Sequence, residues 1–136
     1  MWQCVLLVVV HASFLGARAV SGVVELDLAS FDSVVNSSDC CAALVQFYAP
    51  WCGHCQALKP TYKELGTRLA GADVVVGAMD ATANSPPDGY DVQGYPTLIF
   101  KTASGKTTSY DGDRDVDSMV AYIKEHAEAE SVKSEL

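Results

Sequence analysis

Positive charge is scarce in this chain of 136 residues, where nine Lys and Arg residues stand against 17 Asp and Glu residues and give a formal net charge of −8. An acidic surface repels phosphate groups, which argues against nucleic acid or an anionic membrane surface as a partner. The sequence also lacks an internal repeat, and its length fits one domain. Because 49% of the residues are hydrophobic, the chain can fill a core.

Pairs of metal ligands are lacking apart from one Cys-x-x-Cys motif, formed by Cys52 and Cys55. A structural zinc site needs a second well-spaced ligand pair. Cys40 and Cys41 are adjacent, which is a poor geometry for that purpose. We therefore predict no metal and no cofactor, and we interpret Cys52 and Cys55 as a redox pair.

Long apolar runs are absent outside the N-terminal segment, Met1–Ala19. This segment has an apolar centre and ends in Ala-Arg-Ala, the small-x-small pattern that precedes signal-peptidase cleavage. The alternative is a membrane anchor, but a span needs roughly 20 apolar residues, and His11 and Arg18 interrupt this run. We predict that residues 1–19 are a cleaved signal peptide and that the mature chain has no membrane contact.

The last four residues, Lys133–Leu136, resemble the Lys-Asp-Glu-Leu address that returns soluble proteins to the endoplasmic reticulum. The alternative is an ordinary charged tail. With the predicted signal peptide, a tail at residues 131–136 indicates residence in the lumen of the endoplasmic reticulum. Asn36 also begins an Asn-Ser-Ser sequon that such a chain could use for glycosylation.

The redox pair lies between a predicted strand and a predicted helix. The preceding residues, Ala43–Tyr48, are apolar and rich in strand formers, whereas Gln56–Leu69 has helical spacing. This places Cys52 at a helix start, where the helix dipole and free backbone amides favour a thiolate. His54, between the cysteines, can supply a nearby positive charge. Cys52 is therefore the expected attacking thiol.

The remaining elements are predicted from apolar spacing and turn residues. Ala43–Tyr48 and the next apolar run suit parallel neighbours joined by the helical crossover. Further strands are predicted at Val23–Asp27, Val74–Met79, Thr97–Lys101 and Thr107–Tyr110, the last two as a hairpin. Further helices are predicted after an N-cap at Ser30 and from Val116 to about Ala129.

Four motifs in this order resemble the catalytic thioredoxin-fold domain of protein disulfide isomerases. They are Phe47–Cys55, Leu58–Pro60, Asp80–Thr82 and Gly94–Thr97. The resemblance implies an α/β thioredoxin fold, with a central mixed β-sheet flanked by helices, over residues 20–130. Members often join several such domains, whereas this chain resembles a single one.

The resemblance also implies roles for individual residues. Cys52 is the exposed nucleophile, Cys55 is the buried resolving thiol, and together they form the redox-active disulfide. Pro96 is a cis proline facing the pair, and Arg114 matches an arginine thought to swing toward the second cysteine and lower its pKa.

Residues around the cysteines complete the predicted site. Trp51, Tyr95 and Pro96 are the predicted substrate-binding residues, because backbone groups beside a cis proline could pair with an extended peptide. The predicted catalytic set adds Gly53, His54 and Arg114 to the two cysteines. Together with the predicted signal peptide and tail, the Gly53-His54 dipeptide argues against a cytosolic thioredoxin that reduces small disulfides.

Two positions depart from the family pattern. Gln46 stands where a buried acid is usual, and Ala78 stands where a lysine is common. Their joint loss is physically reasonable, because a lone buried charge is costly. Gln46 cannot accept the proton of Cys55 at neutral pH, so Cys55 must rely on water, His54 or Arg114, and turnover is expected to be slow.

Cys40 and Cys41 have three alternative fates in an oxidising compartment. They could be free buried thiols, bond to a partner, or exchange with the active site. We favour burial at the start of the Ala43–Tyr48 strand, because free cysteine packs as a small hydrophobe.

The sequence predicts a thiol–disulfide oxidoreductase and isomerase acting on cysteine-containing client proteins of the secretory pathway. Its redox partner would be glutathione or a thiol oxidase. The alternative is a chaperone or partner-binding module with weakened redox chemistry, which Gln46 and Ala78 favour and the intact cysteine pair disfavours.

Overall fold

The computed structural model describes residues 22–36 and 42–135. The predicted signal peptide, both residues of the Cys40-Cys41 pair, and Leu136 at the end of the predicted tail lie outside the described residues.

A five-stranded mixed sheet with helices on both faces forms the fold. The elements in chain order are β1 (Val24–Leu26), α1 (Leu28–Val34), β2 (Ala42–Tyr48), α2 (Gly53–Arg68), β3 (Val74–Asp80), β4 (Thr97–Lys101), β5 (Thr107–Ser109) and α3 (Val116–Glu135). The strand order is β1-β3-β2-β4-β5, with β3 parallel to both β1 and β2, and β4 antiparallel to β2 and β5. The predicted parallel pair, hairpin and thioredoxin fold are confirmed.

Strand β2 lies at the centre of the sheet, and its residues Ala42–Phe47 are all buried. Leu44 contributes to the core shared with α2 and α3, whereas Val45 and Phe47 contribute to the core shared with α1. This two-sided burial explains the nearly continuous apolar run of β2. The chain enters the cysteine motif shortly after the end of β2.

The predicted N-cap of α1 is wrong by three residues. Asp27 is the N-cap, and its Oδ1 accepts a hydrogen bond of 2.7 Å from the backbone N–H of Ser30. The Oγ of Ser30 in turn accepts a bond of 2.9 Å from the N–H of Asp27. This reciprocal capping box starts α1 at Leu28 and shortens the preceding strand.

The two long helices pack on the same side of the sheet. They are joined at the surface by Arg68 and Asp117, whose Nη1 and Oδ1 atoms are 2.6 Å apart. Helix α3 extends to Glu135, beyond its predicted end near Ala129. In the part of the chain that the structure describes, no helix is both long enough and apolar enough to cross a membrane.

Candidate active site

Cys52 is the N-cap of α2, as the sequence predicts. Its N–H donates to the carbonyl of Ala49 at 3.1 Å, and its Sγ accepts a bond of 3.2 Å from the N–H of Cys55. The first N–H groups of a helix have no partner within the helix. A sulfur at the N-cap supplies one, and the positive end of the helix dipole stabilises negative charge on it.

The pKa values of the two thiols are shifted in opposite directions. The S–H of Cys55, with the backbone N–H groups of Cys55 and His54 and the more distant charge of Arg114, lowers the pKa of Cys52. Burial, followed by the hydrogen bond to Cys52, raises the pKa of Cys55 to about 11. As pH rises, the thiolate of Cys52 therefore forms before that of Cys55.

The expected exposure of Cys52 needs correction. Cys52 is only 7% exposed and Cys55 is 5% exposed. Both pack against Ala49, with Tyr48 and Tyr95 beside them. Cys52 is therefore largely covered by these neighbours. The two cysteines therefore differ in pKa much more than in exposure.

An aromatic pair lies beside the cysteines. Trp51 is 72% exposed, and its ring meets that of Tyr95 edge to face with centroids 5.8 Å apart. The Tyr95–Pro96 peptide bond is cis, as the resemblance implies. An exposed tryptophan next to a reactive sulfur offers a client chain apolar contact area.

The other predicted catalytic residues lie around the two cysteines. Gly53 and His54 are exposed in the first turn of α2. Arg114 is exposed and lines a cavity of about 330 Å³ together with Pro96, Asp91 and Asp111. Its positive charge also lowers the pKa of Cys55, although less than burial raises it.

A second cavity, of about 610 Å³, lies on the other side of Cys55, between the sheet and α2. Gln46 and Ala78 line it, are each 5% exposed, and are direct neighbours across β2 and β3. The two positions that depart from the family pattern thus meet under the active site. Both are uncharged, so no ion pair links them.

Glu25 lines the same cavity, and our reading of the sequence missed it. Its Oε2 accepts a hydrogen bond of 2.9 Å from the hydroxyl of Tyr48. Glu25 is exposed overall, but partial burial of its carboxyl raises its pKa. The alternation of β1 was visible in the sequence, but only the pairing of β1 with β3 brings Glu25 beside Ala78.

Two further predictions concern a metal and glycosylation. Residues 22–36 and 42–135 contain no cluster of three or more His, Cys, Asp or Glu side chains suited to a metal ion. Asn36 is exposed after α1, and its Nδ2 donates to Oδ1 of Asp32 at 2.9 Å. The rest of its sequon falls outside the described ranges, and glycosylation stays a prediction.

Comparison with known proteins places these features in context. The thioredoxin family profile matches residues 22–125. Protein disulfide-isomerase A3 of Gallus gallus is 44% identical over 109 residues, which cover 78% of this chain and 21% of that protein. Protein disulfide-isomerase of Zea mays is 55% identical over 86 residues, which cover 62% of this chain and 17% of that protein.

A solved structure gives the same result. The first thioredoxin domain of mouse protein disulfide-isomerase A4 superposes with a TM-score of 0.68 at 36% identity, covering 79% of this chain and 76% of that one. The matched part spans about a fifth of the length of the two curated relatives. These similarities confirm the resemblance that the motifs indicate.

Proposed function

Because the chain belongs to the thioredoxin family, we propose that it is a thiol–disulfide oxidoreductase that forms, reduces and rearranges disulfide bonds in client proteins. One observation carries the proposal: Cys52 and Cys55 share a hydrogen-bonded helix start, where one pKa is lowered and the other is raised. Thiol–disulfide exchange requires such a thiolate beside a second thiol held in reserve.

The reaction has two exchange steps. The Cys52 thiolate attacks one sulfur of a client disulfide, and the other client sulfur leaves as a thiolate and takes up a proton. Cys55 then loses its proton and attacks Cys52, which releases the second client sulfur. The client disulfide is reduced by two electrons and the cysteine pair is oxidised by two. The reverse sequence oxidises a client dithiol, and rearrangement combines both directions.

We assign client contact to Trp51, Tyr95 and Pro96. The exposed Trp51 ring and its contact with Tyr95 support this assignment, because both lie next to the attacking sulfur. Clients are proteins that contain cysteine, and glutathione or a thiol oxidase returns the pair to its starting state. The proposed catalytic set adds Gly53, His54 and Arg114 to the two cysteines.

We place the protein in the lumen of the endoplasmic reticulum, with residues 1–19 as signal, 20–130 as the thioredoxin-like domain and 131–136 as retention tail. The support is the sequence of the two terminal segments. Deleting Lys133–Leu136 should send the protein into the medium of expressing cells. Unchanged intracellular residence would show that the tail is not the address.

A partner-binding module with weak redox chemistry is the second candidate. The uncharged Gln46 and Ala78 beneath Cys55 favour it, because neither can accept a proton from the resolving thiol.

Insulin reduction and the reactivation of scrambled ribonuclease separate the two functions. The proposed enzyme accelerates both reactions, and Cys52→Ser abolishes the acceleration. The control variant Cys40→Ser/Cys41→Ser removes two thiols outside the pair and should still accelerate both reactions. Suppression of client aggregation without any cysteine-dependent acceleration would favour the binding module instead.

A further inference from the structure

Cys55 must lose a proton before it can attack, and its pKa of about 11 keeps it protonated at neutral pH. Gln46, at the family's acidic position, cannot accept that proton. Other groups that could accept this proton line the cavity next to Cys55.

Three of those groups form one row across the sheet. Glu25 of β1 pairs with Ala78 of β3, and Ala78 pairs with Gln46 of β2. Residues paired across neighbouring strands point to the same face of a sheet, and two strand spacings separate Glu25 from Gln46 by about 10 Å. Because Ala78 is small, the space between them belongs to the cavity.

Glu25 is the acid among the residues that line this cavity. Although Glu25 is exposed overall, partial burial of its carboxyl raises its pKa and the charge of Asp80 adds to this, while Tyr48 and Lys59 act in the opposite direction. The hydroxyl of Tyr48 holds the carboxylate in place and stays protonated, because burial raises its own pKa to about 12.

The charged or titratable groups facing Glu25 come from three elements. Strand β2 contributes Tyr48 and β3 contributes Asp80 at its end. Helix α2 contributes the other groups of the cavity wall: Cys55, Lys59, Tyr62 and Lys63. The charge of Lys59 partly offsets the effects that raise the pKa of Glu25.

We propose that Glu25 accepts the proton of the Cys55 thiol through water in the cavity and so replaces the missing acid at position 46. A cavity of about 610 Å³ has room for such water, and the polar groups of Gln46, Tyr48 and Glu25 provide the partners it needs.

The S–H bond of Cys55 breaks and its proton passes to the Glu25 carboxylate. The Cys55 thiolate forms a bond to Cys52 as the Cys52–client bond breaks, and the departing client thiolate regains a proton from Glu25 or solvent. This inference rests on the proposed function, since it concerns the second exchange step.

The test uses the full chain and glutathione disulfide as the client. Wild type, Glu25→Gln and Glu64→Gln are compared as a matched set. Gln at position 25 can still accept the hydrogen bond of Tyr48, so the geometry is preserved. Glu64 is an exposed acid of α2, paired with Arg68 and outside the cavity. Rapid acid quench and intact-mass spectrometry measure the formation and decay of the Cys52–glutathione mixed disulfide over a range of pH.

We expect mixed-disulfide formation at similar rates in all three proteins. In wild type and Glu64→Gln, decay of the mixed disulfide should change little with pH above the pKa of Glu25 and slow as pH falls through it. In Glu25→Gln, decay at neutral pH should be at least tenfold slower, on the order of the loss of a positioned base. The decay rate in this variant should also rise about tenfold per pH unit, because only ionised Cys55 then reacts.

Two outcomes overturn the inference. One is a decay rate and pH profile in Glu25→Gln that match wild type. The other is equal slowing of formation and decay, which would mark a structural defect. Failure of all three proteins to form the mixed disulfide would instead contradict the proposed function itself.

Discussion

At the scale of single residues, local environment gives two cysteines three positions apart opposite properties. Hydrogen bonds at the helix start lower the pKa of Cys52, whereas burial raises the pKa of Cys55. The motif and the helix start could be predicted from the sequence, because both are local. The covered state of Cys52 could not, because it depends on Tyr95, which comes from a distant segment.

The first prediction concerns the order of alkylation. A thiolate exists above the pKa of its thiol, so iodoacetamide should label Cys52 as pH rises through its lowered pKa. Cys55 should follow only as pH approaches about 11. Peptide mapping of the reduced protein at each pH measures both curves. Faster labelling of Cys55, or equal labelling at mildly acid pH, contradicts the assignment.

A charge variant gives this prediction a control. Arg114→Gln should move the labelling curve of Cys52 to higher pH, because the guanidinium lowers that pKa. Arg68→Gln removes an equal charge that pairs with Glu64 and Asp117, and the curve should not move. Identical curves for the two variants would rule out an electrostatic role of Arg114.

At the scale of elements, apolar patterning predicted the strands and helices themselves better than it predicted where they begin and end. The buried run of β2 and the helical spacing of α2 were sufficient to place the crossover unit. The start of α1 was wrong because Ser30 occupies the third helical position of a capping box rather than the cap. The sequence could not show that β1 pairs with β3, which is what places Glu25 at the cavity.

Two glycines allow the chain before β1 to lie directly against helix α2. A Cβ added at Gly66 of α2 would lie 2.7 Å from the carbonyl carbon of Gly22, just before β1. Gly22 itself has a φ of 71°. The chain leading into β1 therefore packs directly against the helix backbone at this point.

The second prediction follows from that contact. Gly66→Ala should lower the free energy of unfolding by about 1–3 kcal/mol, because overpacking against backbone outweighs the gain of about 1 kcal/mol in helix propensity. Gly94→Ala is the control, since an added Cβ there meets no atom within 4 Å. Urea unfolding followed by circular dichroism measures both. A Gly66→Ala protein as stable as wild type would show that the contact is not tight.

At the scale of the whole molecule, the sheet presents the cysteine pair at the end of its central strand, with a cavity on either side. One cavity lies beside Pro96 and Arg114, and the other reaches from Cys55 to Glu25. The fold class could be predicted because its four motifs occur in order along one domain. The second cavity could not, since its walls come from β1, β2, β3 and α2 together.

The third prediction tests the central claim, that Cys52 is the nucleophile and Cys55 the residue that releases the client. In Cys55→Ser the first exchange proceeds but the second cannot. Incubation of this reduced variant with insulin, followed by non-reducing electrophoresis and peptide mapping, should show a stable disulfide from Cys52 to an insulin chain. Wild type should show little of it, and Cys52→Ser/Cys55→Ser none. A trapped insulin chain on Cys40 or Cys41, or none in Cys55→Ser, would contradict the account.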